Sequence, residues 1–224
     1  MENKFLDKDK QIGVLLTNLG TPDSPTSKDL KKYLNEFLMD ERVVDLPRIF
    51  WVPLLKLIIL NVRPKKSAKL YKKIWTEDGS PLMSISKNIL NKTQNLMQDN
   101  HPDIHLDLGM RYGSPSISNA LKRFKDKAIS KILIIPLYPQ AGSPTTASTI
   151  DAVNNYLYDQ NWIPNLRFIS GYHDNEDYIN AIANSIENSF KENGKPDKLL
   201  FSYHGMPKRY LEEGDPYYCF CHKT

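Results

Sequence analysis

Residues 12–19 read Ile-Gly-Val-Leu-Leu-Thr-Asn-Leu, and the turn Gly-Thr-Pro-Asp-Ser-Pro follows at residues 20–25. The first stretch alternates little between apolar and polar residues, which is typical of a strand that is buried on both faces. Apolar residues then recur at helical spacing and predict one buried helix face, made of Leu30, Tyr33, Leu34, Phe37 and Leu38. A buried strand, a turn rich in Gly and Pro and an amphipathic helix form the repeating unit of an α/β fold.

Four more segments predict strands on the same grounds, at residues 104–110, 131–137, 166–170 and 198–203. Helical patterns separate them, and the longest of these patterns ends at Gly194. The residues that we expect on its inward face are Tyr178, Ile182, Ile186 and Phe190. Strands that alternate with helices indicate a mainly parallel sheet with helices on both faces. We therefore predict an α/β fold with a doubly wound parallel sheet.

A long insertion of about eighty residues separates the first two predicted strands, far more than a crossover helix needs. It includes an apolar segment from Ile49 to Leu60, which Pro53 and Lys56 interrupt and which is too short to cross a bilayer. An apolar run with such interruptions is often an ordinary core helix. Two helices are predicted after it, one that begins at Pro64 and one with Ser80 at its N-cap.

The predicted strand at 198–203 would begin a second sheet, yet only about twenty residues follow it, too few to build a domain core. We therefore expect a complete first domain over residues 1–170. Residues 171–224 would supply a connecting helix and the start of a second, truncated domain.

Composition and charge exclude several classes of protein. With 40% apolar and 25% charged residues over 224 positions, the chain can bury a core and is not disordered. Its net charge of +4 is small and its charges are interspersed, which argues against a nucleic-acid partner. Its two cysteines, Cys219 and Cys221, exclude a disulfide-stapled secreted fold. Residues 1–8 include acidic side chains and no apolar core, so we predict no signal peptide and a cytoplasmic protein.

Ligands of open parallel sheets bind at the carboxyl ends of the strands, which here are the segments 17–22, 111–115, 138–146 and 202–207. These loops lack a glycine-rich dinucleotide fingerprint, a P-loop and a nucleophile elbow, which argues against nucleotide cofactors and serine hydrolysis. They also lack a pair of carboxylates of the kind that glycosidases use. They do supply one cation, one histidine, aromatic rings and an amide.

Each candidate side chain in these loops has two interpretations. His204 could accept a proton or bind a metal near neutral pH, or it could merely close the end of a strand. Arg111 could anchor an anion such as a carboxylate, or it could pair with a structural Asp. Tyr112 and Tyr138 could cover a flat ligand or close the core. The Cys-Phe-Cys-His run at 219–222 offers no second pair of metal ligands, so we predict reduced thiols there.

Residues 199–207, Leu-Leu-Phe-Ser-Tyr-His-Gly-Met-Pro, continue into Glu-Gly-Asp-Pro-Tyr at 213–217 and closely resemble the signature of ferrochelatases. Members of that family insert ferrous iron into a porphyrin at the end of haem synthesis. Four further motifs occur in the family's order and approximate spacing: Asn-Leu-Gly-Thr-Pro at 18–22, Gly-Ser-Pro-Leu at 79–82, Gly-Met-Arg-Tyr-Gly at 109–113 and Leu-Tyr-Pro-Gln at 137–140. The resemblance covers essentially the whole chain from Ile12 onward.

The resemblance implies a chelatase-like fold of two Rossmann-like domains with a porphyrin cleft between them. It places His204 at the family's active-site histidine, which is assigned both as the acceptor of pyrrole protons and as a metal ligand. The residues that it places at porphyrin-binding positions are Leu19, Tyr71, Arg111, Tyr112, Tyr138 and Gln140. Residues 40–63, called the lip below, match a segment that covers the cleft. In some members the lip also touches a membrane, which implies peripheral contact with the inner membrane through the stretch from Ile49 to Leu60.

By the same resemblance, the substrates are protoporphyrin IX and ferrous iron, which combine to form haem. Iron is then a substrate and no prosthetic group is implied, while the presence of an iron–sulfur cluster stays open. The loop after Gln140 reads Ala-Gly-Ser where many members have an aromatic residue and Ser. No residue here matches the glutamate that faces the histidine from the family's second half. The alternatives are a non-catalytic tetrapyrrole-binding module and a chelatase for coproporphyrin or for cobalt.

Overall fold

Four parallel strands form the central sheet of the computed structural model, which describes residues 11–224. The strands are β1 (Ile12–Thr21), β2 (Ile104–Gly113), β3 (Lys131–Pro136) and β4 (Asn165–Phe168), and their order across the sheet is β2-β1-β3-β4. In the register of the sheet, Ile12 lies opposite both Ile104 and Lys131. The first four predicted strands and the parallel sheet are therefore confirmed. The predicted absence of a signal peptide falls on residues 1–8, which lie outside the described residues.

The helices fill the connections between these strands. They are α1 (Ser27–Leu38), α2 (Arg48–Leu54), α3 (Leu60–Ile74), α4 (Pro81–Gln98), α5 (Ile117–Asp126), α6 (Ser148–Tyr158), α7 (Glu176–Asn193), α8 (Lys208–Glu212) and α9 (Tyr217–Lys223). Two π-helical segments, Leu55–Ile59 and Ser143–Ala147, lead into α3 and α6. Within residues 11–224, no helix combines the length and the apolar character that crossing a bilayer requires.

Hydrophobic clusters cover both faces of the sheet. On one face, Leu15 and Ile134 of the strands pack with Phe124 of α5 and Val153 of α6. On the other face, the buried strand residues Val14, Leu16, Leu108 and Met110 pack with side chains of α4. Because both faces are covered, the strands tolerate the nearly continuous apolar runs that predicted them. The predicted doubly wound architecture is thus confirmed, whereas the division into residues 1–170 and 171–224 stays a prediction.

Residues 48–63 of the lip form a nearly continuous helical segment with one buried and one exposed face. Trp51, Leu55 and Leu60 are buried in a third cluster against α1, and Trp51 Nε1 donates a hydrogen bond to Leu38 O at 2.7 Å. The predicted start of a helix at Pro64 is wrong, because α3 already begins at Leu60. Packing of the apolar face extends the helix upstream, and a proline near the beginning of a helix removes few backbone hydrogen bonds.

The predicted fifth strand is also wrong. Residues 198–203 adopt no regular secondary structure, and Leu200 and Phe201 are 87% and 61% exposed. An isolated apolar run cannot form a ladder without a partner strand, and no described strand lies beside it to pair with. The expected inward face of α7 is half-buried: Tyr178, Ile182, Ile186 and Phe190 are partly covered, and no residue of this helix is fully buried. Gly194 ends the helix as predicted, with φ +84°.

Candidate active site

Two cavities lie among the loops that follow the strands. The arginine cavity, of about 910 Å³, is bounded by Arg111, by Asp40 and its neighbours in the lip, and by Gly142 and Asp215. The histidine cavity, of about 560 Å³, is bounded by Gln140, His204 and the apolar side of α7. Both cavities draw residues from the loop after β3, as expected for the carboxyl edge of a parallel sheet.

Arg111, near the end of β2, is held by two partners. Its Nη2 atom lies 2.5 Å from Asp40 Oδ2, and its Nε atom donates to Ser148 O at 2.9 Å and to Ser148 Oγ at 2.6 Å. Of the two interpretations of Arg111, pairing with a structural Asp is therefore observed directly. Its side chain remains 17% exposed and borders the arginine cavity, so the guanidinium can still meet a ligand from that side.

Asp40 is the residue of this site that the sequence did not reveal. Its Oδ2 atom also accepts hydrogen bonds from Tyr112 Oη at 2.7 Å and from Ser148 Oγ at 2.5 Å, and its Oδ1 atom accepts from Arg42 N at 2.7 Å. Burial alone would raise the pKa of Asp40, but these hydrogen bonds and the charge of Arg111 lower the pKa below its usual value. The carboxylate therefore stays charged and ties the lip to β2 and α6.

Tyr112 packs in the core beside the arginine cavity's Arg111. It is fully buried, with ring centroids 6.5 Å from Tyr33 and 5.1 Å from Phe37 in edge-to-face contacts. Burial raises its pKa well above the usual range. Tyr138 differs, because its buried hydroxyl oxygen has no hydrogen-bond partner among the described residues, and burial raises its pKa as well. An unpartnered buried hydroxyl is costly, which suits a group that meets a ligand.

Leu19 and Tyr71 lie apart from both cavities. Leu19 is half-buried against the cluster that contains Tyr112, and its backbone N–H donates to the side chain of Asn18 at 2.8 Å. Tyr71 on α3 is half-buried, with its ring centroid 6.4 Å from that of Trp75. Burial raises the pKa of Tyr71. The residues placed at porphyrin-binding positions are thus not gathered around one cavity.

His204 and Gln140 are brought together at the histidine cavity. The His204 residue is exposed, and its backbone N–H donates to Tyr217 Oη at 3.1 Å. Gln140 Nε2 donates to Thr224 Oγ1 at 3.0 Å. Gln140 follows β3 and His204 follows the irregular segment 198–203, so the fold brings two distant parts of the sequence to one cavity. Tyr217 belongs to the Glu-Gly-Asp-Pro-Tyr motif, which was the available signal for its importance.

The two cysteines are free thiols, in agreement with the prediction. Cys219 is exposed and Cys221 is buried, so the two thiols of α9 lie in different environments. Burial raises the pKa of Cys221, which disfavours the thiolate that binds metals. Across the described part of the chain, no group of three or more His, Cys, Asp or Glu side chains is arranged to hold a metal ion.

The four-stranded parallel sheet with helices on both faces is the architecture of a chelatase-like member of the Rossmann-like α/β class. A model of the Ferrochelatase family matches residues 11–224. The chain is 50% identical over 215 residues to Ferrochelatase 2 of Shewanella oneidensis, covering 96% of this chain and 65% of that protein. It is 49% identical over 215 residues to Ferrochelatase of Pseudoalteromonas atlantica, covering 96% and 60%.

A third relative, Ferrochelatase of Hydrogenovibrio crunogenus, is 50% identical over 218 residues, covering 95% of this chain and 58% of that protein. The chain therefore belongs to the ferrochelatase family. It spans 58–65% of the length of these three curated relatives. The resemblance first carried by the motif around His204 is confirmed along the whole described chain.

Proposed function

We propose that the full-length protein inserts ferrous iron into protoporphyrin IX to form haem. The observation that carries this proposal is the position of His204, which lies with Gln140 at a cavity of about 560 Å³. A cavity of this size is within the range of sites for small organic ligands. Membership of the ferrochelatase family supports the same activity.

His204 would act as the base. A metal-free porphyrin carries two inner N–H protons, and both must leave as the divalent ion enters, so the reaction transfers protons without any oxidation or reduction. A neutral imidazole accepts protons near pH 7, and the exposed position of His204 leaves it open to a ligand. Binding energy from the flat apolar ring could be used to distort it and tilt a pyrrole nitrogen outward. Iron is a substrate in this scheme, and no prosthetic group takes part.

Other residues would bind the porphyrin. The apolar side chains of α7 that border the histidine cavity, among them Ile182 and Ile186, offer a wall for the ring face. Arg111 presents a guanidinium at the arginine cavity, which suits a propionate of the porphyrin. Tyr138 would offer its unpartnered hydroxyl. Leu19, Tyr71, Tyr112 and Gln140 complete the proposed set of porphyrin-binding residues.

The exposed face of the lip would touch a membrane surface from the cytoplasmic side. Its apolar residues Ile49, Phe50 and Leu57 are 77%, 74% and 72% exposed, and basic residues such as Lys56 and Arg63 lie among them. Exposed apolar side chains flanked by cations suit the interface of a bilayer with anionic headgroups. A cytoplasmic protein with peripheral contact to the inner membrane is therefore proposed.

A second candidate is a tetrapyrrole-binding module without catalysis. It is favoured by the separation of Arg111 and His204 into two cavities. Such a module would bind the porphyrin and leave it metal-free.

Absorbance titration separates these candidates. The full-length protein is titrated with protoporphyrin IX, and ferrous iron is then added without oxygen while the Soret band is followed. Conversion to the haem spectrum supports a ferrochelatase, binding without conversion supports the module, and no binding contradicts both. Parallel titrations with coproporphyrin and with cobalt test the two remaining alternatives, which predict faster insertion with those substrates.

A further inference from the structure

The position of His204 depends on contacts from outside its own segment. Residues 196–207 contain no helix or strand, so no ladder or helical hydrogen bonds fix their backbone. The hydrogen bond from His204 N to Tyr217 Oη, 3.1 Å long, links this segment to the first residue of α9. Whatever holds Tyr217 therefore helps to place His204.

Asp215 holds Tyr217. One carboxylate oxygen, Oδ1, accepts the backbone N–H of Tyr217 at 2.9 Å. The other oxygen, Oδ2, accepts the backbone N–H of Ser143 at 2.6 Å. Asp215 is half-buried, and hydrogen bonds to a carboxylate are stronger than those between neutral groups. A single side chain thus joins α9 to the loop that follows β3.

The loop after β3 packs closely against this junction. A Cβ atom placed at Gly142 would lie 3.3 Å from Tyr217 Cβ and 3.5 Å from Asp215 Oδ1. The first distance is tighter than ordinary van der Waals contact, so a side chain at position 142 would push α9 away. The absence of a side chain at Gly142 therefore permits the short Ser143 to Asp215 hydrogen bond.

We propose that Asp215 is a positioning residue that acts on His204 through Tyr217. The sheet fixes the loop after β3, Asp215 fixes α9 to that loop, and Tyr217 fixes the backbone of His204. Asp215 borders the arginine cavity, and Tyr217 borders the histidine cavity. The inference rests on the proposed function, because it assigns the residue that places the proposed base.

The first test follows the backbone amide of His204 by NMR in the isotopically labelled full-length protein. The variant Asp215→Asn is informative because its amide can accept one backbone N–H but turns an NH₂ donor toward the other. We expect Asp215→Asn and Tyr217→Phe each to shift the His204 amide signal and to speed its hydrogen exchange. The control Asp197→Asn removes the same charge from an exposed residue of the segment before His204. It should change neither the His204 amide signal nor its rate of hydrogen exchange. If Asp215→Asn and Tyr217→Phe leave the His204 amide unchanged, the proposal is wrong.

The second test is a double-mutant cycle in the rate of iron insertion into protoporphyrin IX, measured on the full-length protein. We expect Asp215→Asn alone to slow insertion about tenfold, because a misplaced base loses part of the contribution of general-base catalysis. If Asp215 acts through His204, the double variant with His204→Ala should be no slower than His204→Ala alone. If the effects of the two substitutions are instead independent and multiply in the double variant, Asp215 does not act through His204 and the proposal is wrong.

The two tests separate this inference from the proposed function. If His204→Ala changes neither porphyrin affinity nor iron insertion, the proposed function fails, yet the NMR measurement still decides whether Asp215 places His204. Should Asp215→Asn fail to fold, Tyr217→Phe takes its place in the cycle, because it removes one hydroxyl and keeps the ring.

Discussion

Asp40 Oδ2 and Arg111 Nη2 lie 2.5 Å apart and join residues that are 71 positions apart in the sequence. The Asp40 side chain is only 6% exposed, so the pair is shielded from bulk water. Arg111 is consequently fixed in orientation before any ligand arrives, and part of its charge is already balanced. A substrate carboxylate at the arginine cavity would therefore meet a guanidinium that needs no reordering, which lowers the entropic cost of binding.

The acid stability of the protein should depend on Asp40. Its pKa is lower in the folded state than the usual 3.8, so its charged form stabilises the fold above the unfolded pKa. That contribution is lost as the pH falls through the lower, folded pKa. We expect Asp40→Asn to reduce the free energy of unfolding by about 2–4 kcal/mol at pH 7, with the difference from wild type shrinking below about pH 4. Urea denaturation across pH 2–7 measures the free energy of unfolding of the wild type and of the variant.

Asp23 provides the matched control for that measurement. It forms an ion pair with Lys32 at 3.2 Å, but the two side chains are 43% and 67% exposed. Exposed ion pairs contribute little to stability, so Asp23→Asn should change the free energy of unfolding by less than about 1 kcal/mol. Equal effects of the two substitutions would show that the buried hydrogen bonds of Asp40 do not matter.

The role of Arg111 can be tested with a porphyrin that lacks carboxylates. We expect the wild-type protein to bind protoporphyrin IX about tenfold more tightly than its dimethyl ester, because a charged hydrogen bond to a propionate is lost in the ester. The double variant Arg111→Gln with Asp40→Asn should bind protoporphyrin IX and its dimethyl ester equally tightly. Asp40 is replaced as well because its buried carboxylate would otherwise lose its charged partner. Arg123→Gln serves as the control, since Arg123 pairs with Asp107 at 2.6 Å outside both cavities. Equal discrimination by wild type and double variant would contradict the propionate contact.

The sheet could be predicted from sequence because its cause is local. The central strands β1 and β3 are nearly continuous apolar runs, as burial on both faces demands, whereas the edge strands β2 and β4 alternate between apolar and polar residues. The same signal failed at residues 198–203, where an apolar run has no described strand beside it. An apolar run indicates that a segment favours burial, but it does not indicate whether a partner strand is present.

The site was predictable in its residue types and less so in its contacts. The rule that ligands gather at strand ends selected Gln140 and Arg111, and it selected His204 only through a predicted strand that the structure does not contain. The partner of Arg111 could not be selected, because Glu36, Asp40, Glu41 and Asp45 all lie in one acidic stretch and only the fold decides which carboxylate is buried. Tyr112 and Tyr138 share residue type and a strand-end position, and only packing separates the core ring from the unpartnered hydroxyl.

Gly20 should not tolerate a side chain. Its φ is +104°, and a Cβ atom there would lie 1.8 Å from the backbone oxygen of Tyr112. We expect Gly20→Ala to lower the free energy of unfolding by about 3 kcal/mol or more, through both backbone strain and the clash. Thermal or urea denaturation checks this, with Gly205→Ala as the control, since nothing lies within 4 Å of the added Cβ at that position. Comparable stability of the two variants would mean that β1 and β2 separate more easily than their register suggests.

The lip should bind membranes through its exposed apolar face. Replacing Phe50 and Leu57 together by Ser should reduce binding to vesicles that contain anionic phospholipid by about tenfold or more, given the transfer free energy of two large apolar side chains. Co-sedimentation measures the bound fraction. Leu96→Ser is the control, because Leu96 on α4 is 77% exposed and lies outside the lip. Unchanged binding by the double variant would contradict the proposed contact.

The most direct test of the central claim is the rate of iron insertion by the His204→Ala variant of the full-length protein. With protoporphyrin IX and ferrous iron in the absence of oxygen, we expect wild type to form haem and His204→Ala to be at least about a hundredfold slower, as for loss of a catalytic base. His101→Ala, which alters another exposed histidine, should keep the wild-type rate. Retention of most of the wild-type rate by His204→Ala would contradict the role assigned to His204.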